Sequence, residues 1–368
     1  MTTIINKKKK ILFIKLDLGN VPNGGVVAQK RNIMLYKHIY GETEVDEICI
    51  PKRHFTSLTK KILRVGERLI KANTWSFDKK LYNHIINIAP SYDIIHIDTS
   101  ILGHLIKKIK NNGFQGHIVC FFHNIESCFN TSLIKKLGIF SWLYTNPIRR
   151  SEALTCKYAD YIYILNERDN ELLYKIYKRK ADILLPITVE DRYKPYNSIK
   201  SNKIELLFVG SYFFANVSSL KWFDDEVAPY LDKNVKITIV GNGMSKIKSI
   251  LKNEIYEIHD FVEDLGFYYQ RASAVLLPIK EGGGMKIKTC EALMWGKYLI
   301  GTTEAFQGYP ITEKQGCIND DKYAFINSIK KLSRDGIETY CEESRSLYLK
   351  NFTNDIMYNR IKLLLNNI

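Results

Sequence analysis

The chain has 368 residues, 45% of them hydrophobic and 25% charged, a composition that excludes a chain disordered throughout, is that of a folded soluble protein, and leaves room for two separate cores. Its formal net charge of +15 and pI ≈ 9.2 call for an anionic partner or a bias of composition. Cys49, Cys120, Cys128, Cys156, Cys290, Cys317 and Cys341 form no Cys-x-x-Cys pair and no zinc-ligand spacing, which predicts buried, reduced thiols.

Met1 to Lys10 is rich in lysine, and the apolar run after it, Ile11 to Ile14, is broken at once by Lys15 and Asp17. This reads as a first strand and not as a signal peptide, so a cytoplasmic location is expected. The loop from Gly19 to Gly25 follows, with Gly24 and Gly25 opening a helix to about Tyr40 whose first N–H groups are free to meet a ligand. It lacks Gly-x-Gly-x-x-Gly, which argues against a dehydrogenase.

Between Lys52 and Trp75 the cations Lys52, Arg53, Lys60, Lys61, Arg64, Arg68 and Lys71 face one acid, Glu67, with apolar residues interleaved. Residues 133–150 add Lys135, Lys136, Arg149 and Arg150 beside Phe140, Trp142 and Tyr144, with no acid. Such segments suit an anionic membrane surface, and equally an amphipathic helix with a solvated basic face. No helix-turn-helix, zinc-finger or RNP pattern accompanies the charge, so nucleic acid is not expected as a partner.

Asp93 to Asp98 and His117 to His123 are predicted strands, the second ending in His123, Asn124 and Glu126. Strand ends in an open α/β sheet face its ligand crevice. A helix over Glu152 to Tyr158, a strand over Tyr161 to Leu165 and a helix from an Asn166 cap to Tyr177 come next. The polar stretch from Thr188 to Lys200 is the candidate linker.

From Lys203 the pattern is strand, helix, strand, helix, that of a parallel α/β domain. Ile204 to Gly210, Lys236 to Gly243 and Ile255 to Val262 are strand regions, and Tyr268 and Tyr269 lie on a helix. Ala274 to Pro278 is a strand entering a loop with Gly282, Gly283 and Gly284, followed by a helix over about Lys288 to Trp295 and a strand over Tyr298 to Gly301. The glycines permit φ > 0 and close approach of backbone to ligand, and the helix N-terminus with Lys286 and Lys288 makes an anion site. Glu291, in the first turns, is placed to accept hydrogen bonds from hydroxyls, and phosphate with sugar suggests a nucleotide. The plainer reading is a glycine-rich turn with solvated lysines. Asn351 to Ile368 reads as one helix.

The order Gly-x-Gly, basic, apolar, Lys, then Glu291-Ala292-Leu293 and Gly296 resembles the donor-site signature of glycosyltransferase family 4, the glycosyl transferases group 1. The resemblance is strong over the C-terminal half and loose over the N-terminal half. It implies an α/β chain of GT-B fold, two Rossmann-like parallel-sheet domains facing a cleft. Residues 1–190 would form the acceptor-side domain, 191–202 the linker, 203–345 the nucleotide-sugar domain and 346–368 a helix crossing back. It further implies an enzyme that transfers a sugar, with retention, from a nucleotide-sugar donor to a glycan or lipid-linked acceptor in building surface polysaccharide such as capsule, O-antigen or lipopolysaccharide.

By the same resemblance Glu291 would hold the ribose hydroxyls, and the backbone of Lys286 and Ile287, with Gly283, Gly284 and Met285, would meet the phosphates. Phe261 and Val262 would lie near the base, Gly210, Ser211, Gly24 and Gly25 would border the donor, and His123, in a His-Asn-x-Glu motif, would hydrogen-bond the transferred sugar. The chain has no Asp-x-Asp, so no metal or other cofactor is expected, and Lys286 and Lys288 are left to stabilise the departing diphosphate. Two departures stand out. The family's Glu-x7-Glu pair would begin at position 283, which is Gly283, with Glu281 two residues out of register. The Arg/Lys-x4-Lys pair expected after Gly210 is also missing, Lys221 being the first cation there. A nucleotide-sugar epimerase of similar form and a non-catalytic relative are the alternatives.

Overall fold

The computed structural model of the protein describes residues 9–19, 24–51, 78–128, 138, 141–195, 203–335 and 339–365. The chain divides into two compact units, residues 1–186 with 357–368, and residues 187–356. The basic segment 52–75, residues 133–137 and 139–140 of the second one, and 196–202 of the expected linker lie outside the described residues.

The first unit holds β1 (Ile11–Leu16), β2 (Val45–Ile50), β3 (Ile94–Ile97), β4 (His117–Phe122), β5 (Tyr161–Ile164) and β6 (Ile183–Leu184). Their order is β2-β1-β3-β4-β5-β6, every pairing parallel. Continuous apolar runs are what a sheet covered on both faces requires. Leu12, Ile14, Ile95, Ile97, Ile118, Ile162 and Ile164 share one core with Leu105, Ile106 and Ile109. Those last three lie on α3 (Gly103–Asn111), which follows α1 (Gly24–Tyr40) and α2 (Lys79–Ile88) and precedes α4 (Ser141–Tyr158) and α5 (Glu167–Tyr177). Helices α3 and α4 meet so closely that a Cβ on Gly103 would stand 2.0 Å from the Ser151 carbonyl oxygen. Asn166 caps α5, as its sequence predicts, by accepting from the Asp169 N–H at 3.0 Å.

The second unit holds β7 (Ile204–Val209), β8 (Val235–Val240), β9 (Tyr256–His259), β10 (Ala274–Leu277), β11 (Leu299–Gly301) and β12 (Gly316–Ile318). The order is β12-β11-β10-β7-β8-β9, again all parallel. Its helices are α6 (Phe214–Glu226), α7 (Leu265–Arg271), α8 (Ile287–Met294), α9 (Lys322–Asp335) and α10 (Glu342–Asn351), with α11 (Asn354–Leu365) running on into the residues of the first unit. The chain steps outward from β7 through β8 to β9, then returns to place β10 on the other side of β7. Such a reversal opens a crevice at the carboxyl ends of the two strands. In the first sheet the reversal lies between β1 and β3.

Several expectations need correction. The final segment is two helices, α10 and α11, because Phe352 between them turns inward, 2% exposed, against Tyr309 at 5.0 Å between ring centroids. Helix α4 begins eleven residues before Glu152 and runs through Pro147. The edge strand β2 carries polar residues where an apolar run would be expected, and β12 has only three residues, so neither shows in the periodicity. Among the thiols only Cys120 and Cys290 are buried, and Cys49 is exposed. No helix among the described residues is long and apolar enough to cross a membrane.

Candidate functional site

In the second unit the site is built at the reversal between β7 and β10. Gly210 directly follows β7, and the Lys288 ammonium lies over it, so that a Cβ there would stand 2.8 Å from Lys288 Nζ and 2.8 Å from Asn216 Nδ2. Asn216, on α6, holds the arrangement from both sides. Its Oδ1 accepts from Lys288 Nζ at 2.7 Å and its Nδ2 donates to the Ser211 carbonyl at 2.8 Å. The ammonium also sits 4.2 Å from the centroid of the Phe208 ring. No carboxylate pairs with Lys288 among the described residues, and burial, aided by the charge of Lys286, pulls its pKa down to about 7. A half-buried cation with one neutral acceptor and unfilled donors is suited to an anion brought by a ligand.

The glycine loop lies beside it. Gly282 and Gly284 take positive φ, 145° and 58°, whereas Gly283 does not, so two of the three glycines use the conformational freedom they permit. Lys286 folds back over Gly282 and gives its ammonium to Glu304 at 2.7 Å and to the Gly284 carbonyl at 3.0 Å. The two lysines are therefore unlike: Lys286 is neutralised and Lys288 is not. Met285 is buried. Helix α8 starts at Ile287, one residue before its expected position, and no side chain caps it. The Thr289 N–H donates to the Lys286 carbonyl at 3.0 Å, which leaves the N–H groups of Ile287 and Lys288 for an outside acceptor. Glu291, half-buried one turn on, accepts from the Tyr269 hydroxyl at 3.4 Å. Burial raises its pKa against the opposing pull of Arg192, Tyr269 and Lys288. Glu281 accepts from Ser218 Oγ at 2.9 Å. Phe261 stands 83% exposed after β9, with Val262 half-buried beside it.

In the first unit His123 follows β4. Its Nε2 lies 2.9 Å from Asp98 Oδ2 and 3.1 Å from the Asp98 carbonyl oxygen. Asp98, fully buried at the end of β3, also accepts from Asn32 Nδ2 at 2.6 Å and meets His96 Nε2 at 3.2 Å. Burial alone would push the Asp98 carboxyl up, but His123 and His96 outweigh it and hold the group well below the usual carboxylate range. Burial pulls the His96 pKa down against the opposing pull of Asp98, which favours the neutral ring. It then gives its Nε2 proton to Asp98 and accepts from the Tyr36 hydroxyl, 3.0 Å from Nδ1. Asp98 likewise fixes the Nε2 proton of His123 and leaves Nδ1 as the ring's other polar atom. Gly24 and Gly25 open α1 in this unit.

Sequence reasoning names Lys288, Glu291 and His123 but not the groups around them. Asn216 holds Lys288, Glu304 neutralises Lys286 and Asp98 orients His123, and each comes from a distant stretch of chain. The aromatic run Tyr212-Phe213-Phe214, 41%, 49% and 45% exposed after β7, is a further feature of this end of the sheet. Its signal is its position, directly behind Gly210 and Ser211.

Residues 203–335 match the family model described as "Glycosyl transferases group 1". No curated protein matches the chain by sequence. Among solved structures, HepE of Anabaena in complex with UDP and glucose superposes with a TM-score of 0.62 at 11% identity, over 98% of this chain and 100% of that one. A point mutant of TarM of S. aureus, in complex with fondaparinux, α-GlcNAc-glycerol and UDP, gives 0.67 at 9% identity over 97% and 100%. The lipopolysaccharide outer core galactosyltransferase WaaB gives 0.63 at 12% over 98% and 100%. At these identities the likeness is one of fold. Residues 203–335 are thus a domain of the glycosyl transferases group 1 family, carried in a chain that has the GT-B fold.

Proposed function

We propose that the protein is a glycosyltransferase that moves a sugar, with retention, from a nucleoside-diphosphate sugar to a glycan or lipid-linked acceptor in the assembly of a surface polysaccharide. The observation that carries this reading is the Lys288 ammonium, held by Asn216 over Gly210 without a carboxylate partner among the described residues, beside the uncapped start of α8. A diphosphate supplies the charge this arrangement lacks. HepE and TarM are seen with UDP, which supports a uridine nucleotide as the donor's leaving group.

In this reading Lys288 and the N–H groups of Ile287 and Lys288 take up the charge that develops on the diphosphate as the glycosidic bond breaks. Lys286 does so only if it releases Glu304. Gly283, Gly284 and Met285 form the backbone wall of the phosphate site, Glu291 accepts from the ribose hydroxyls, and Phe261 offers a flat apolar face to the base. His123, oriented by Asp98, hydrogen-bonds the transferred sugar. The reading needs no metal, and activity is expected to survive a chelator. The basic segments 52–75 and 133–150 are assigned to an anionic membrane surface, which suits a lipid-linked acceptor. Trp142, on α4, is 53% exposed.

The test is a thermal-shift panel against UDP, GDP, CMP, dTDP and ADP and their sugar conjugates, without added metal. A ligand at a hundredfold excess over its dissociation constant stabilises the folded state by about 2.7 kcal/mol. A shift with one nucleotide, followed by transfer of sugar from its conjugate, supports the proposal. Epimerisation of the sugar while it stays on the nucleotide, or binding without turnover, overturns it.

A further inference from the structure

The loop after β4 carries His123 and Glu126 and is wrapped around one buried carboxylate that the sequence does not advertise. Glu152, on α4, is 0% exposed and accepts four hydrogen bonds from three directions. Its Oε1 takes the Glu126 N–H at 2.8 Å and the Ser100 hydroxyl at 3.1 Å. Its Oε2 takes the Tyr177 hydroxyl at 2.7 Å and the Ser127 N–H at 3.3 Å. Ser100 lies just past β3 and Tyr177 ends α5, so Glu152 ties both neighbours of the loop to the loop itself. Tyr177 reinforces the tie, its hydroxyl lying 3.0 Å from Ser127 Oγ.

We propose that Glu152 is a positioning residue for glycosyl transfer, setting where the His123 to Ser127 loop presents its side chains without touching substrate. The proposal rests on the reading above for what the loop does, but not for what Glu152 does to the loop. Two anchors fix the loop's geometry. Asp98 holds the His123 ring at one end, and Glu152 holds the backbone of Glu126 and Ser127 at the other. The carboxylate is enclosed, so its removal takes from two backbone N–H groups the only acceptor that the described residues give them there. Chemistry that depends on the loop then suffers, because displacement of a reacting contact by about 1 Å costs on the order of a hundredfold in rate.

The chemistry of the anchor separates positioning from general stability. In Glu152→Gln the amide oxygen at the Oε1 place still accepts from Glu126 and Ser100. The new NH2 faces Tyr177, whose hydroxyl turns to accept, and only the long bond from Ser127 is lost. In Glu152→Ala both loop amides lose their acceptor. The experiment compares wild type, Glu152→Gln, Glu152→Ala and Tyr177→Phe by hydrogen exchange of the peptide spanning 123–128, by UDP affinity, and by kcat for the donor sugar identified in the panel. The expected result is rapid exchange at 126–127 and a fall in kcat of roughly ten- to a hundredfold in Glu152→Ala. UDP affinity should stay within about twofold and Glu152→Gln should remain close to wild type. Unchanged exchange in a folded Glu152→Ala, or a parallel fall of UDP affinity and kcat, overturns the proposal. If Glu152→Ala does not fold, Glu152→Gln and Tyr177→Phe decide. Tyr177→Phe must then raise exchange and lower kcat more than Glu152→Gln does, and the reverse order overturns the proposal. A wild type inactive with every donor would overturn the transferase reading, and the exchange measurement would still decide whether Glu152 holds the loop.

Discussion

Replacing Lys288 with methionine should do two opposite things, and the pair of effects tests the assignment of the anion site. The ordinary lysine value of 10.5 falls to about 7 in the folded protein. At 1.36 kcal/mol for each pH unit that gap is a ceiling of roughly 5 kcal/mol, the cost of keeping the ammonium in its half-buried place without an anion. The folded state binds fewer protons than the unfolded chain between about pH 7 and 10.5, so stability rises with pH across that window and the full cost is present below pH 7. Methionine removes the cost but strands the Asn216 carbonyl, a loss of about 1–3 kcal/mol. The net gain is at most about 2–4 kcal/mol, or roughly 4–16 °C in the melting temperature of the second unit in the ligand-free protein at pH 6.5. Binding should move the other way. A charge-assisted hydrogen bond contributes about 1.5–3 kcal/mol, so Lys288→Met should weaken UDP binding by about ten- to a hundredfold. The advantage of the wild type should shrink as pH rises above 7, while the phosphate's own titration cancels in the comparison. Calorimetric titration with UDP at pH 6.5 and 8.5, beside melting curves without ligand, measures both. A variant that is less stable when free, or that binds UDP as wild type does at both pH values, refutes the reasoning.

Glu291→Ala should leave the melting temperature of the free protein near wild type and abolish transfer, with nucleotide-sugar affinity reduced about tenfold or more for the loss of a carboxylate acceptor. Unchanged affinity in a binding titration would remove Glu291 from the site. Gly210→Ala puts a methyl group 2.8 Å from Lys288 Nζ, within reach of a flexible side chain that can swing aside. It should therefore fold and melt within a few degrees of wild type yet bind UDP as poorly as Lys288→Met, and normal binding would show that the ammonium is not needed over Gly210. Phe261→Ala, at a residue 83% exposed, should change stability by less than about 0.5 kcal/mol while weakening UDP several-fold. Equal affinity in a fluorescence or calorimetric titration would take the base away from this ring. Asp98→Asn should lower stability by about 2–4 kcal/mol, and the wild type should lose this share only as pH falls below about 4, because the folded carboxyl titrates below its unfolded value. Acid melting curves of the two proteins that do not converge would contradict that account.

The second unit is easy to read from sequence for a physical reason. Its strands are short apolar runs separated by glycine turns, and the loop from Glu281 to Lys288 packs glycines, lysines and a helix start into one local stretch. Chemistry that is local in sequence shows in sequence. The partners of that stretch do not. Asn216 lies 72 residues from Lys288 and Glu304 18 from Lys286, and only the sheet order brings the first of these together. Without that order nothing distinguishes a neutralised lysine from an unpaired one, although the two behave differently toward a phosphate. Glu152 leaves one faint trace, a single acid following the acid-free basic stretch 133–150. Nothing in periodicity reports that its carboxylate turns inward. Phe352 misleads for a related reason, since a helical pattern on both sides of it conceals a break made by tertiary packing.

Both units place an ionisable group that burial perturbs at the reversal of strand order. In the first sheet the reversal of strand order lies between β1 and β3, and Asp98, fully buried, follows β3. In the second the reversal lies between β7 and β10, and Lys288 covers the residue that follows β7. A parallel strand has its carbonyls and side chains satisfied along its length, but at a reversal the helices that cover it leave to opposite faces and the strand end is exposed. A charge set there is enclosed by protein on one side and open to ligand on the other. The two charges are nevertheless managed differently. Asp98 is satisfied internally, by Asn32, His96 and His123, and so serves to orient His123. Lys288 is hydrogen-bonded to Asn216 and lies on the Phe208 ring, with Glu291 acting on it only through space, and so has donors to offer a charge from outside. One unit thus presents an oriented imidazole and the other a cation with no hydrogen-bonded carboxylate among the described residues, and on the proposed function the cation is the group that would bind more strongly as negative charge accumulates on a departing diphosphate. If the proposed transfer is right, Lys288 should therefore contribute more than any other side chain of the second unit to the rate of glycosidic bond cleavage.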